Sequence, residues 1–595
     1  MEKSHSDTSQ PSESASTFHT VREFIEALGI ALILAFLFKA FIIELYGIPT
    51  GSMGPTLMGR HKDVHCAVCG FPYQIGASRE SNEGVPNPRP KNELPRVIGG
   101  TCPQCQYTMY VENDNLAGQT YMSFNGDRIF VNKNLFSFRE PSRWHVTVFR
   151  YPATPQVNYI KRLIGLENET LMLRNGQVFV QKEGSGYFEI QRKPLRTLLA
   201  MLRPVDDNDY VVPAIHELGW KTRWYGDEHW QRSADYKSFT CTGHADEPAW
   251  LRFRYITATT SDWYQLIQGK LPEGSQTGTP QLITDPLAYN TELLQYPSGP
   301  RWDVSKIENP QSGTVQMCRR LPEGLGYNWV GDLVVQGSLN VEKGGHGKII
   351  FNLIKGGIQF QCALNFESDT VSAQFSVPEV PEFEPFSVNV PIHTGCNHNV
   401  MFCNVDEEMR LIIDGKEIDT QGRGRYDALC NDEGLLSRDR RPTELDLEPA
   451  AIGVEGDLSV QLEHLKIMRN TYYISSDDPT ADNLCDLIDS PFRRGFSFDY
   501  EENVKKILSM PEYWSNFGKT RRTVFKLEKD QFLMCGDNSP QSKDGRLWTS
   551  DGIPHYVDRR YLIGEAMFVF WPHGLRIPST NFAVIPNVRK IRWID

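Results

Sequence analysis

No basic stripe runs through this chain. Its 62 lysines and arginines are outnumbered by 74 aspartates and glutamates, for a net charge of -12. That balance argues against a nucleic-acid binder, which needs a positive face. No H-E-x-x-H and no G-x-S-x-G occurs, so neither the zinc-protease helix nor the hydrolase nucleophile elbow is present. His216, His229 and His244 have no metal-ligand spacing. What is present is the composition of a folded globular chain, 40% hydrophobic and 11% aromatic over 595 residues, long enough for two to four domains.

Residues 1–20 are polar and Ser/Thr-rich and predict a disordered tail. Residues 21–45 form the one strongly apolar segment. Taken over Ile25–Ile43 it reaches roughly 28 Å at about 1.5 Å per residue, enough for a bilayer span. Glu26 and Lys39 lie near its ends, where a long lysine side chain reaches the headgroups. No small-x-small cleavage site follows, so a retained transmembrane anchor is expected rather than a signal peptide; a buried core helix is the rival reading. Directly after it, "IPTGSMGPTL" sets Ser52 between Gly51 and Met53, with Pro49 and Pro55 stiffening the backbone on either side. A serine nucleophile needs a base, either a histidine or a lysine held neutral.

The candidate base is Lys161, in "VNYIKRLIGL", where it interrupts a strand-like apolar run. On pattern alone, Lys161 and Arg162 could equally face outward at a sheet edge. A third stretch, "GDNSPQSKDGRLW", carries Ser542, Asp544 and Arg546 two residues apart. Together "IPTGSMGPTL", "GDRIFVNK", "YIKRLIG" and "GDNSPQSKDGR", in that order behind one hydrophobic segment, resemble bacterial type I signal peptidase of the Ser–Lys class. The resemblance covers residues 21–60, 120–183 and 525–572.

That resemblance implies a mainly β catalytic domain behind one transmembrane helix. It also implies a serine endopeptidase that removes signal peptides from secreted precursors after a small-x-small site. Ser52 would be the nucleophile and Lys161 the general base, with Thr50 and the Ser52 N–H forming the oxyanion hole. Ser542 would orient the lysine amine, and an Asp544–Arg546 ion pair would hold its loop. A cytoplasmic N-terminus, a catalytic domain across the cell membrane and contact with the lipid bilayer follow from the same likeness. A lysine ordinarily titrates near 10.4, and making it neutral at pH 7 costs the ammonium about 3–4 kcal/mol, which desolvation supplies; Ile160, Leu163 and Ile164 are the local apolar neighbours. The chain departs from the family at Glu167-Asn168, Ser539-Pro540 and Gly545.

Two insertions interrupt the pattern. In the first, about 62–110, Cys66-x2-Cys69 and Cys102-x2-Cys105 read as a four-cysteine zinc ribbon, a structural site with no open position. Disulfides among the four are the rival reading. His65, beside Cys66, competes as a ligand. The second, 184–490, holds short alternating strands and an Asp414-Gly415 hairpin signal, and predicts a β-sandwich loosely similar to concanavalin/laminin-G-like jelly rolls. Trp220, Trp224, Trp230, Trp250 and Trp263 fit core packing better than sugar binding. Cys396 and Cys403 are near enough in sequence to pair. The catalytic core therefore divides into 46–183 and 491–595, with 475–523 as a polar linker with short helices. Phe568, Phe570 and Trp571 are candidates to face a bilayer interface.

Two other readings fit parts of the pattern. One is an idle protease-fold membrane protein whose sandwich binds a glycan or a protein. The other is a soluble self-cleaving repressor, which would carry a DNA-binding helical domain where this chain has its apolar segment.

Overall fold

The computed structural model describes residues 13–41, 43–83, 88–111, 122–182, 184, 186–242, 244–273, 278–296, 305–308, 315–320, 324–367, 370–431, 434–475, 484–492, 500–575 and 585–595. A helix spans Glu13–Phe41, so it begins inside the stretch expected to be a disordered tail. The large apolar side chains described on it, from Val21 to Leu37, are exposed. Among the described residues, however, no helix is long and apolar enough to cross a membrane, and the spanning anchor expected over 21–45 is not found as such.

The chain is mainly β, as its many alternating runs require. The site is carried by an antiparallel sheet that begins with Ile43–Gly47 and continues through Arg128–Asn132, Leu562–Trp571, Val146–Tyr151, Thr154–Gly165, Gln531–Cys535 and Val557–Asp558. Residues from before the first insertion and after the second therefore pair in one sheet. Asn168 closes the turn after Thr154–Gly165 with φ 62, a left-handed geometry that asparagine tolerates. A four-stranded sheet with Thr170–Arg174 and Arg522–Lys526 at its centre and edge packs nearby.

Within the large insertion, two antiparallel sheets face each other. One contains Val460–Arg469, Leu333–Val341 and Asn397–Val405; the other contains His244–Phe253, Ala450–Asp457, His346–Lys355 and Ile358–Asn365. Their inner faces form one large apolar core, from Val205 to Ile467. Asp414 and Gly415 both take positive φ, 50° and 76°, in the hairpin joining Glu408–Ile413 to Lys416–Glu417. Trp224 and Trp230 lie in this core, whereas Trp220 and Trp263 pack with the ribbon. Cys396 and Cys403 do not pair; both are free thiols.

The insertion is not confined to the sandwich. Its strand Leu293–Gln295 pairs with Arg96–Thr101 of the ribbon and with Val315–Arg320, building a five-stranded sheet shared by the two insertions. Sequence pattern treated them as separate units. The shared sheet makes them one.

Candidate active site

Ser52 lies in a bend and turn over residues 50–56, immediately beyond Ile43–Gly47, and is half-buried. Lys161 sits in Thr154–Gly165, which is flanked at that point by Val146–Tyr151 and Gln531–Cys535. It is therefore interior rather than at an edge: Lys161 is 4% exposed and Arg162 0%. Lys161 Nζ and Ser52 Oγ are 2.6 Å apart, and Nζ also meets the Ile160 carbonyl at 3.1 Å. With the amine neutral, the serine hydroxyl donates across that short gap.

Burial pushes the lysine pKa down to about 8, against the pull of the nearby Asp544 carboxylate. Leu163 lies two residues on along the strand, and the Tyr159 ring lies 5.5 Å from Nζ; Ile160 packs in a cluster with Met53, beside Ser52, and Ile164 in one with Cys535. Thr50 is half-buried one residue before Gly51. Among the described residues the Ser52 N–H has no hydrogen-bond acceptor, so it is free to receive an oxyanion.

The third stretch closes over this pair. Asp544 and Arg546 form a buried two-point ion pair, with Nε–Oδ1 and Nη2–Oδ2 both 2.8 Å. Asp544 also accepts from the Gly536 N–H at 2.8 Å. Gly545 fits because a Cβ there would meet the His555 carbonyl oxygen at 2.5 Å. Ser539, a departure from the family pattern, accepts from Arg546 and from the Ile474 N–H. Ser542 is buried beside Asp544, and its hydroxyl is among the groups that hold that carboxyl low. No hydrogen bond from Ser542 to the lysine, as the resemblance would have it, is found among the described residues, where Nζ meets Ser52 Oγ and the Ile160 carbonyl.

Two further residues of the same stretch, Asp537 and Asn538, also hold the site together. Asp537 pairs with the fully buried Arg162 at 2.9 and 2.7 Å and accepts from the Tyr473 hydroxyl at 3.1 Å. Asn538 holds the nucleophile loop: its N–H donates to the Ser52 carbonyl at 3.1 Å and its Nδ2 to the Gly51 carbonyl at 2.9 Å. Both lie at the start of the "GDNSPQSKDGR" motif, whose spacing gave no sign of which distant groups they would meet.

The four cysteines converge on a separate centre. The hairpins His61–His65/Pro72–Gly76 and Arg96–Thr101/Thr108–Tyr110 end in matching knuckle turns. Cys66 and Cys105 Sγ lie 3.5 Å apart, and Cys69 and Cys102 Sγ 3.7 Å. All four are free thiols. A sulfur–sulfur bond is about 2.05 Å, whereas four sulfurs about 2.3 Å from one ion lie about 3.8 Å apart. The geometry fits a tetrahedral zinc, and His65 is exposed outside the cluster. A second cluster, His61, Asp63 and His573, holds its own cation: the Lys590 ammonium donates to both Asp63 oxygens and lies 2.9 Å from His573 Nε2.

A short gap between a serine hydroxyl and a buried, low-titrating lysine is the arrangement of an amine-activated nucleophile. Residues 110–212 match the family model described as signal peptidase, peptidase S26. This chain is similar to type I signal peptidases. It is 30% identical over 123 residues to signal peptidase I of Pseudomonas fluorescens, covering 15% of this chain and 43% of that protein. It is 44% identical over 46 residues to signal peptidase I of Aquifex aeolicus (strain VF5), covering 8% and 18%. The chain thus spans less than half the length of these signal peptidases. Among solved structures, the carbohydrate-binding module CBM66 from Bacillus subtilis aligns with 41% of this chain and 95% of its own at 8% identity, with a TM-score of 0.20. A likeness at that level assigns no ligand.

Proposed function

We propose that this protein is a serine endopeptidase that removes signal peptides from secreted precursors after a small-x-small site. The observation that carries the reading is the 2.6 Å approach of Ser52 Oγ to a buried Lys161 whose amine titrates near 8. In this reading Ser52 Oγ attacks the scissile carbonyl while the neutral Lys161 amine takes its proton. The Ser52 N–H and the Thr50 hydroxyl receive the oxyanion. The Lys161 ammonium then returns the proton to the leaving amine, and the acyl-serine forms. Lys161 next deprotonates a water, which releases the signal peptide carboxylate and restores the hydroxyl. The Asp544–Arg546 pair fixes the loop behind the lysine.

Membrane association belongs to the same proposal. Its support is the row of exposed apolar side chains on Glu13–Phe41 and, further on, exposed Leu45, Met567 and Trp593. A single-pass topology with the catalytic domain outside the cytoplasm extends that reading. Membrane fractionation tests it: the full chain partitions with membranes, whereas a chain lacking residues 1–41 is released.

The test of the reaction is cleavage of a precursor peptide with an Ala-x-Ala site by the full chain and by Ser52→Ala. Cleavage after the second alanine that vanishes in the variant supports the reading. A variant that cuts as well as the wild type ends it. The pH profile carries a second expectation. Because only the neutral amine accepts a proton, kcat/KM rises about tenfold per pH unit and levels off near pH 8. A flat profile between pH 6 and 9 would mean that the lysine is not the base.

We also propose one structural zinc held by Cys66, Cys69, Cys102 and Cys105, supplying cross-linking and no reaction chemistry. Metal analysis of the purified chain should give about one zinc per molecule, lost on replacing Cys66 and Cys102 by serine. Metal-free protein with four oxidised cysteines would refute this.

A further inference from the structure

The large insertion reaches the nucleophile loop itself. Between the sandwich strand His244–Phe253 and the shared strand Leu293–Gln295, the short turn Ala288–Asn290 presses against residues 51–60. The Tyr289 ring covers Gly51: a Cβ on that residue would lie 2.1 Å from a ring carbon, so the loop's glycine is required by a residue of the insertion. The Tyr289 hydroxyl donates to the Arg60 carbonyl at 2.9 Å. Asn290 is fully buried. It exchanges two amide hydrogen bonds with Asn538, Nδ2 to Oδ1 at 2.8 Å in one direction and 2.7 Å in the other.

Asn538 is the residue that grips the Gly51 and Ser52 carbonyls. Among the described residues its side-chain oxygen has no donor but Asn290, and the reciprocal pair holds the amide in place while the Gly51 carbonyl, an acceptor only, makes Nδ2 the end that meets it. Asn290 is anchored in turn from the ribbon side, where the Thr101 N–H donates to Thr291 Oγ1 at 2.9 Å and Leu293–Gln295 pairs with Arg96–Thr101. The exit of the insertion is seated in the same region: Tyr473 reaches Asp537, and Ile474 engages Ser539 and Arg546.

We propose that Asn290 is a positioning residue for Ser52, supplied by the inserted domain, and that the insertion thereby completes the active site instead of decorating it. The proposal rests on the Ser52–Lys161 reading for its catalytic consequence, but not for its structural one. An excursion of this size is ordinarily tolerated as an independent surface addition, and its removal would then leave the core working. Here removal leaves the buried Asn538 side-chain oxygen without its donor and the nucleophile loop without its backing.

The test uses the full chain with Asn290→Ala, Asn538→Ala and the double variant. Two readouts are taken, peptide cleavage and amide hydrogen exchange. Expected for each single variant is a kcat lower by roughly 10- to 100-fold with KM within about twofold, since a misplacement of the nucleophile by a fraction of an ångström acts on the chemical step. The double variant should be no worse than the poorer single, because both break one unit. Exchange should quicken about tenfold over residues 51–57 and 536–541 while Leu333–Val341 and Val460–Arg469 keep their protection. Additive losses, unchanged exchange in the two loops, or protection lost equally in the sandwich would each overturn the proposal. Asn538→Ala breaks the pair from the core side, so the test does not depend on Asn290→Ala folding. If the wild type cleaves nothing, the peptidase reading fails while the exchange result still decides the positioning role.

Discussion

Replacing Lys161 by methionine is expected to lower kcat for a precursor peptide by at least ~10³-fold while making the protein more stable at pH 7. The loss follows from there being no substitute base: among the described residues, only Lys161 lies within hydrogen-bond distance of Ser52 Oγ. The gain follows from the same burial that makes the lysine reactive. A lysine in water titrates near 10.4, and this one near 8. At pH 7 both folded and unfolded chains carry the proton, so the folded state bears the full cost of a poorly solvated ammonium, about 3 kcal/mol. Between about pH 8 and 10.4 the unfolded chain holds a proton that the folded chain has released, and wild-type stability therefore rises with pH across that window. Methionine removes the charge and keeps an unbranched stem, so the variant's advantage is largest at and below pH 7 and fades above pH 8. Denaturant unfolding at pH 6.5 and 9.5, run beside the cleavage assay, measures both effects. A Lys161→Met protein that still cleaves, or that is less stable than wild type at pH 6.5, contradicts the reading of this lysine as a buried, activated base.

Replacing Arg546 by alanine should cost about 3–5 kcal/mol of stability, the penalty for stranding the buried Asp544 carboxylate without its partner. The guanidinium also holds the Ile474 and Ser539 carbonyls, so its removal loosens the loop and the exit of the insertion together. A second effect distinguishes this pair from ordinary scaffolding. Asp544 raises the Lys161 pKa and Arg546 lowers it. With the arginine gone, the unopposed carboxylate stabilises the ammonium, and the acid limb of the kcat/KM profile should move to higher pH. Replacing both residues with apolar ones of similar volume should restore most of the stability, because no unpaired charge then remains. Thermal unfolding and pH profiles of the two variants check this. An Arg546→Ala protein as stable as wild type, with an unmoved limb, would mean that Asp544 finds another partner.

The sequence by itself located the chemistry wherever it was local. Asp544 and Arg546 are two residues apart, and their ion pair is closed within one short loop. The two Cys-x2-Cys turns carry their geometry in their own spacing. The alternation of apolar residues set the strands, and Asn168 showed that its turn could take a left-handed backbone. Pattern could not say whether Lys161 was inside or at an edge, because that depends on Gln531–Cys535 arriving from about 370 positions further along to pair beside it. Nor could it say which apolar neighbours come near the amine, since Met53 and Cys535 reach Ile160 and Ile164 only through the packing of distant segments. Ser542 lay at the right spacing, yet packing left its hydroxyl without the lysine. Asn290 had no signal at all. It occupies an irregular turn 248 residues from Asn538, and a reciprocal amide pair between two such points has neither period nor motif. Residue spacing determines contacts that close within a turn or a hairpin; contacts that close across a fold are decided by the packing of the whole chain, and the backing of this nucleophile is one of them.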